Sequence, residues 1–328
     1  MDFLAQSIFP YTQPSLRETS QHKYTIPYSF VAGSGQHTIP SERVKLIQII
    51  SRYNDLDNII WGPWSSKSSR PSPEVLTRFQ MELLNWRDNS PLTFESCYES
   101  LTVLPECNET LDALPIPPKP LSFQSALAAL NAALYNNYMA CSFSMLSNDS
   151  NFDHNALCTF HFVYQNLRIA EGLTAASNVL DRQILNEDID ISISLLLYLG
   201  FRRCYSRAWQ KWTIQILRQC GRQGLLDGSA FANTLDNLCL LQLRAELQSS
   251  SPRHKCTLAP STCDIGLLHE RILPLLQPRD DSDNLVAYYL RHDTVTPGQK
   301  DIMLHIIARA TWKQDEHGNI ISVNFDYL

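Results

Sequence analysis

The chain has 328 residues, 44% of them hydrophobic and 10% aromatic, enough to bury a sizeable core as one large domain or two modest ones. That aromatic content excludes a disordered activation tail as the main body. A net charge of −6, with only 18% charged residues, excludes the global basic field of a free-standing DNA-binding protein, so no direct nucleic-acid partner is expected.

Residues 1–40 carry Pro10, Pro14, Pro27 and Pro40 and the turn Gly33-Ser34-Gly35 without a sustained period, which predicts an extended N-terminal arm. The opening MDFLAQSIFPYTQPSL has neither the cationic start nor the apolar run of a signal peptide, so a protein of the nucleus or cytoplasm, not a secreted one, is expected. Ser41 is placed to cap a helix with apolar positions Leu46, Ile49, Ile50, Tyr53 and Ile60. Residues 61–73 read as a loop. Ser72-Pro73-Glu74 is a helix start: a capping hydroxyl, a proline at the first helical position and an acid near the positive end of the dipole. Val75, Phe79, Leu83 and Trp86 follow at helical spacing. The PIPPKP run at 115–120 is a stiff spacer. Ser122 then opens a long helix over 122–145, with Leu130, Leu134, Tyr138, Cys141 and Met145 on its stripe. After a polar break comes a helix carrying Leu157, Phe160, Tyr164 and Leu167 and ending near Gly172.

Residues 191–199 are too uniformly apolar for a surface helix and predict a buried one. Trp209, Trp212, Ile216 and Cys220 share a helical face. Gly221 and Gly224 end that helix through positive φ, and Asp227-Gly228-Ser229 caps the next, giving two antiparallel helices joined by a tight turn. Residues 248–262 form a loop, and Asp264 opens a short helix with Leu268, Ile272 and Leu275. Residues 303–312 and 320–327 are rich in β-branched and aromatic side chains around a turn with Gly318. They predict a β-hairpin, with helix as the competing reading over 303–310. The expected fold is mostly α: an arm over 1–40, a helical bundle-like domain over 41–292, and a C-terminal β-hairpin over 293–328 packed on the helical domain. The longest apolar stretch is far shorter than the roughly 20 residues that span a bilayer, so no membrane partner is expected.

No GxxxxGK, GxGxxG, HExxH or GxSxG motif occurs. The nine cysteines are odd in number and never spaced as CxxC, which fits buried, reduced thiols rather than disulfides or a metal site. His154 and His161 lie seven apart, but a metal pair there is the minority reading. Glu187, Asp188 and Asp190 look like a helix-cap turn more than an acid/base pair. No catalytic residue, metal or cofactor is assigned.

The segment 202–235, RRCYSRAWQKWTIQILRQCGRQGLLDGSAFANTL, resembles a segment near the C-terminus of many fungal zinc-cluster (six-cysteine) transcription factors, where an R-x-C motif, paired tryptophans and a G-R-x-G-L-x-D-G turn occur in this order. Upstream, Trp86 to Pro91 looks like the family's W-x-x-x-x-P patch, followed by a proline stretch and a long Ala/Leu/Tyr helix. The resemblance covers residues 75–245. It implies the family's all-helical regulatory region, which binds small hydrophobic molecules and tunes transcription. The six closely spaced cysteines of the DNA-reading cluster are not matched; the first cysteine is Cys97. Three roles follow: a truncated regulator, a partner of a full-length transcription factor, or a member of a fungal secondary-metabolite cluster. In the last role the alternative is a cofactor-independent cyclase or isomerase, because a greasy helical pocket can orient an apolar polyene without a nucleophile or metal. Either role needs an apolar cavity. We expect it between the helices of Tyr138, Cys141 and Met145, of Phe160, Tyr164 and Arg168, and of Trp209 and Trp212, with Tyr138, Tyr164 and Arg168 at its rim and a small hydrophobic metabolite as the ligand.

Overall fold

A computed structural model describes residues 41–53, 71–90, 118–123, 125–146, 152–175, 192–201, 204–205, 207–223, 226–248, 266–267, 272–277, 285–292, 304–314 and 320–327. The arm over 1–40, Ile60, most of the 61–73 loop, Pro91, the Glu187–Asp190 turn and the 249–262 loop lie outside them. The described residues form a mostly α fold of seven helices with an antiparallel sheet at the C-terminal end.

Helix α1 (Ser41–Arg52) and helix α2 (Pro73–Asp88) cross antiparallel. Ser72 caps α2 as its sequence dictates, its hydroxyl accepting from the Val75 N–H at 3.4 Å. The buried stripe is Leu76, Phe79, Leu83 and Trp86. Val75, expected on that stripe, is 37% exposed, because the 3-4-3 spacing that meets the core starts one residue later. The Tyr53 hydroxyl donates to Glu82 at 2.9 Å, and the Trp86 indole N–H donates to the Glu42 carbonyl at 2.7 Å, tying the two helices together.

Helix α3 (Ala126–Met145) is capped by Ser125, whose hydroxyl accepts from the Ala128 N–H at 3.1 Å, and so begins later than the expected Ser122. It is the central helix, buried on almost every side. Tyr135 and Tyr138 face α2, meeting Trp86 at 5.9 Å and Phe79 at 6.1 Å. Its alanines and small polar residues face helix α4 (Phe152–Ala175) at close range. On that side the Asn136 amide donates to the Asn166 carbonyl oxygen at 2.9 Å, and the Asn166 amide donates to the Ala133 carbonyl at 3.1 Å. The pair is fully buried and satisfies part of what burying two amides costs.

Helix α4 runs through Gly172 to Ala175 rather than ending there. The glycine serves a close approach instead: a Cβ at 172 would stand 2.0 Å from the Leu121 carbonyl oxygen. The 118–123 strap lies across α4 at this point, with the Leu121 N–H bonded to the Arg168 carbonyl at 3.1 Å.

Helix α5 (Ile193–Phe201) is buried at all nine positions, as its apolar run requires. Strand β1 (Cys204–Tyr205) leads into helix α6 (Arg207–Cys220). The turn that follows matches the expectation at Gly221 and at Asp227, while Gly224 lies outside the described residues. Gly221 has φ +63°, strand β2 (Arg222–Gln223) pairs with strand β3 (Leu226–Asp227), and the Asp227 carboxylate accepts from the Ser229 N–H at 2.8 Å. Helix α7 (Gly228–Gln248) then returns antiparallel to α6, with Arg218 and Asp236 paired across them at 3.0 Å.

Strand β4 (Gly266–Leu267) pairs with β1. Where a short helix was expected after Asp264, residues 272–277 are strand β5 (Ile272–Gln277). Pro274 explains the difference: mid-helix it would remove a hydrogen bond and clash, whereas an edge strand accepts it. Strands β6 (Leu285–His292), β7 (Leu304–Gln314) and β8 (Ile320–Tyr327) complete an antiparallel sheet in the order β5-β6-β7-β8. The expected C-terminal hairpin is β7–β8, and the competing helix over 303–310 is not formed. The sheet packs on α7, where the Tyr289 hydroxyl donates to the Thr234 carbonyl at 3.2 Å. Burial pushes that hydroxyl's pKa up.

Candidate functional site

The aromatic centre of the helical body is assembled by α4 and α6. Phe160 and Tyr164 sit one turn apart on α4, so their rings stack at 5.9 Å. Trp209, near the start of α6, meets Tyr164 edge to face at 4.9 Å and Phe160 at 6.4 Å. Its ring is fully buried, and its indole N–H has no hydrogen-bond acceptor among the described residues. The next residue, Gln210, is also fully buried. Its carbonyl oxygen accepts from the Cys239 thiol at 3.2 Å, while its amide nitrogen has no partner among the described residues.

The other expected site residues are distributed around this centre. Arg168 is not at a rim. It is 2% exposed, its Nε donates to the Lys119 carbonyl at 2.8 Å, and its guanidinium also donates to Gln165 at 3.1 Å. Tyr138 turns to the α2 flank of α3, against Phe79. Cys141 is buried; Met145 and Trp212 are half-buried against the core. Of the eight, therefore, the ring contacts join Phe160, Tyr164 and Trp209 in one cluster.

Sequence reasoning passed over the buried amides. Asn137 on α3 is 1% exposed, and neither end of its amide has a partner among the described residues. The signal was present: three asparagines, Asn131, Asn136 and Asn137, interrupt an otherwise Ala- and Leu-rich helix, where each buried amide needs partners.

The thiols are not activated. Burial pushes Cys158 up to about 11, with the exposed His154 ring 3.5 Å from its sulfur. Burial also pushes Cys220 up to about 11, with a hydrogen bond to Ser194 opposing the shift and the charge of Glu171 adding to it. At neutral pH both are thiols, and a thiol is a poor nucleophile and metal ligand. His161 is buried edge-on against Phe162 at 5.3 Å. Among the described residues no three His, Cys, Asp or Glu side chains gather as a metal site, and no helix is long and apolar enough to cross a membrane.

Comparison with protein-family models, with curated proteins and with solved structures finds no match to this chain.

Proposed function

We propose that the chain is a ligand-binding regulatory protein, akin to the regulatory region of fungal zinc-cluster transcription factors, that responds to a small hydrophobic metabolite in the nucleus or cytoplasm and serves secondary-metabolite biosynthesis. Its partner in transcription is a full-length factor that supplies the DNA reader. The resemblance of segment 202–235 is one support, since its Gly221, Asp227 and Gly228 hold the turn that sets α6 against α7.

The observation that carries the reading is the Trp209 indole N–H. It lies fully buried beside two aromatic rings without an acceptor among the described residues. An unsatisfied buried donor costs about 1–3 kcal/mol, so this N–H calls for a partner, which a bound ligand or a buried water can supply. An apolar ligand carrying a carbonyl or ether oxygen has the chemistry to satisfy it.

Solvent extraction of the purified chain followed by mass spectrometry tests this. We expect an apolar, oxygen-bearing molecule with the wild type and its loss with Trp209→Phe, which keeps a ring and deletes the donor. If both proteins carry the same molecule, or neither carries one and no such metabolite added back quenches tryptophan fluorescence, the reading fails. Full truncation by Trp209→Ala is expected to cost about 3–5 kcal/mol in a denaturant titration and so is no substitute for the phenylalanine variant.

A further inference from the structure

The sheet ends differently on its two sides. On one side the outer strand β5 carries Pro274 in its middle, and a proline guards an edge because it has no N–H to offer another strand. On the other side no strand among the described residues pairs with the outer side of β8. Its eight residues, IISVNFDY, include no Lys, Arg or Pro, and Asp326 is its one charge. The row of side chains that packs toward the helices runs straight to this edge. Tyr289, Ala308 and Tyr327 stand opposite one another, as do Ala287, Ala310 and Phe325. The β6 and β7 members are buried, but Phe325 is half-buried and Tyr327 is 55% exposed. These last two rings meet at 5.0 Å and form an apolar ledge at the rim of the sheet.

We propose that β8 pairs antiparallel with β8 of a second copy of this chain, across a two-fold axis at Phe325, merging two four-stranded sheets into one of eight. The strand's own sequence selects a copy of itself as occupant. In this register Phe325 faces its twin, and Asn324 faces Asp326. Ring meets ring on the face toward the helices, and a carboxylate meets an amide on the other. The Asn324 amide already donates to Asp326 within its own strand at 3.3 Å, so the same chemistry is available across the axis. An axis one residue earlier, at Asn324, would bring the irregular pairing between Lys313 and Gln314 into the contact, whereas 323–327 is regular throughout. The pairing also supplies partners for the outer row of backbone N–H and C=O groups of β8, which no strand among the described residues pairs. It is independent of the proposed ligand site.

The test is sedimentation of the full chain over a range of concentrations and salt. The wild type is expected to be a reversible dimer. Asn324→Asp sets a carboxylate opposite Asp326 on both sides of the axis, and we expect about tenfold weaker dimerisation, most marked at low salt. Asn324→Lys creates two opposite-charge pairs and is expected to tighten the dimer at low salt. Asn324 is exposed, so both variants should keep the wild-type melting curve. Met81→Lys, at an exposed apolar side chain on α2, should leave the dimer unchanged. A monomeric wild type, an undiminished dimer in Asn324→Asp, dissociation by Asn324→Lys, or dissociation by Met81→Lys would each overturn the proposal.

Discussion

Two glycines illustrate how the same residue is required for different physical reasons. At Gly221 the backbone has φ +63° and nothing lies within 4 Å of where a Cβ would stand, so the constraint is conformational. At Gly172 the backbone is helical and the constraint is the Leu121 carbonyl. Gly221→Ala is therefore expected to cost about 1–2 kcal/mol, and Gly221→Asn less, because asparagine tolerates this region. Gly172→Ala should cost about 1–3 kcal/mol or more, because neither backbone can turn aside, and asparagine should do worse still. Urea midpoints of the four variants check the contrast; equal costs for Ala and Asn at both sites would contradict it. The thiols give a second expectation. Cys158 and Cys220 hold their protons up to about 11 in the folded chain, whereas the unfolded chain releases them near 9. Between those values the unfolded state binds fewer protons, so stability is fully present below about pH 9 and falls as pH rises toward about 11. Urea midpoints measured across this window should fall with pH, and Cys158→Ala should flatten part of the fall.

Among elements, legibility followed the locality of the cause. The start of α2, the burial of α5 and the α6–turn–α7 hairpin rest on residues within a few positions of one another: Ser72 with Val75, nine consecutive apolar residues, Asp227 with Ser229. All were readable. The course of α4 is not legible locally, because a glycine inside a helix looks like a stop until the strap that crosses it is known. The leucines and isoleucine of β5 fit a helix as well as a strand, and only Pro274 separates the two. Spacing places Phe160 and Tyr164 on one face of α4 and Trp209 on a face of α6, but that the rings meet each other directly, where a cavity is expected from the sequence, depends on how the two helices pack. The turning away of Tyr138 and Arg168 was not readable, because it depends on Phe79 and Lys119, which are distant in sequence.

At the scale of the whole molecule, the sheet is joined to the helical body through α7, while α3 gathers the helices around itself. Tyr289 is the fully buried link between the two, its hydroxyl held by a carbonyl of α7. Tyr289→Phe removes that bond and leaves the carbonyl, and should cost about 1 kcal/mol. Because the sheet lies at the edge of the helical body whereas α3 is buried at its centre, the sheet's amides are expected to exchange with solvent at a lower free energy than those of α3, and Tyr289→Phe should speed exchange in β6 and β7 without changing α3. Equal acceleration in both regions by hydrogen-exchange mass spectrometry would show that the sheet does not open on its own.

The Asn136–Asn166 pair acts as an alignment mark. A helix of alanines and leucines looks much the same one turn up or down, so α3 and α4 have little in their apolar contacts to choose one offset. Slipped by a turn, they would still bury their methyl groups but would strand two amides. Replacing both asparagines with leucine should therefore raise the urea midpoint or leave it unchanged, because neither member of the pair is left behind without the other. The same variant should lose definition, seen as broadened or doubled methyl resonances from residues along the α3–α4 contact. Replacing Asn136 alone should do the opposite, lowering stability by about 1–3 kcal/mol while keeping one set of resonances.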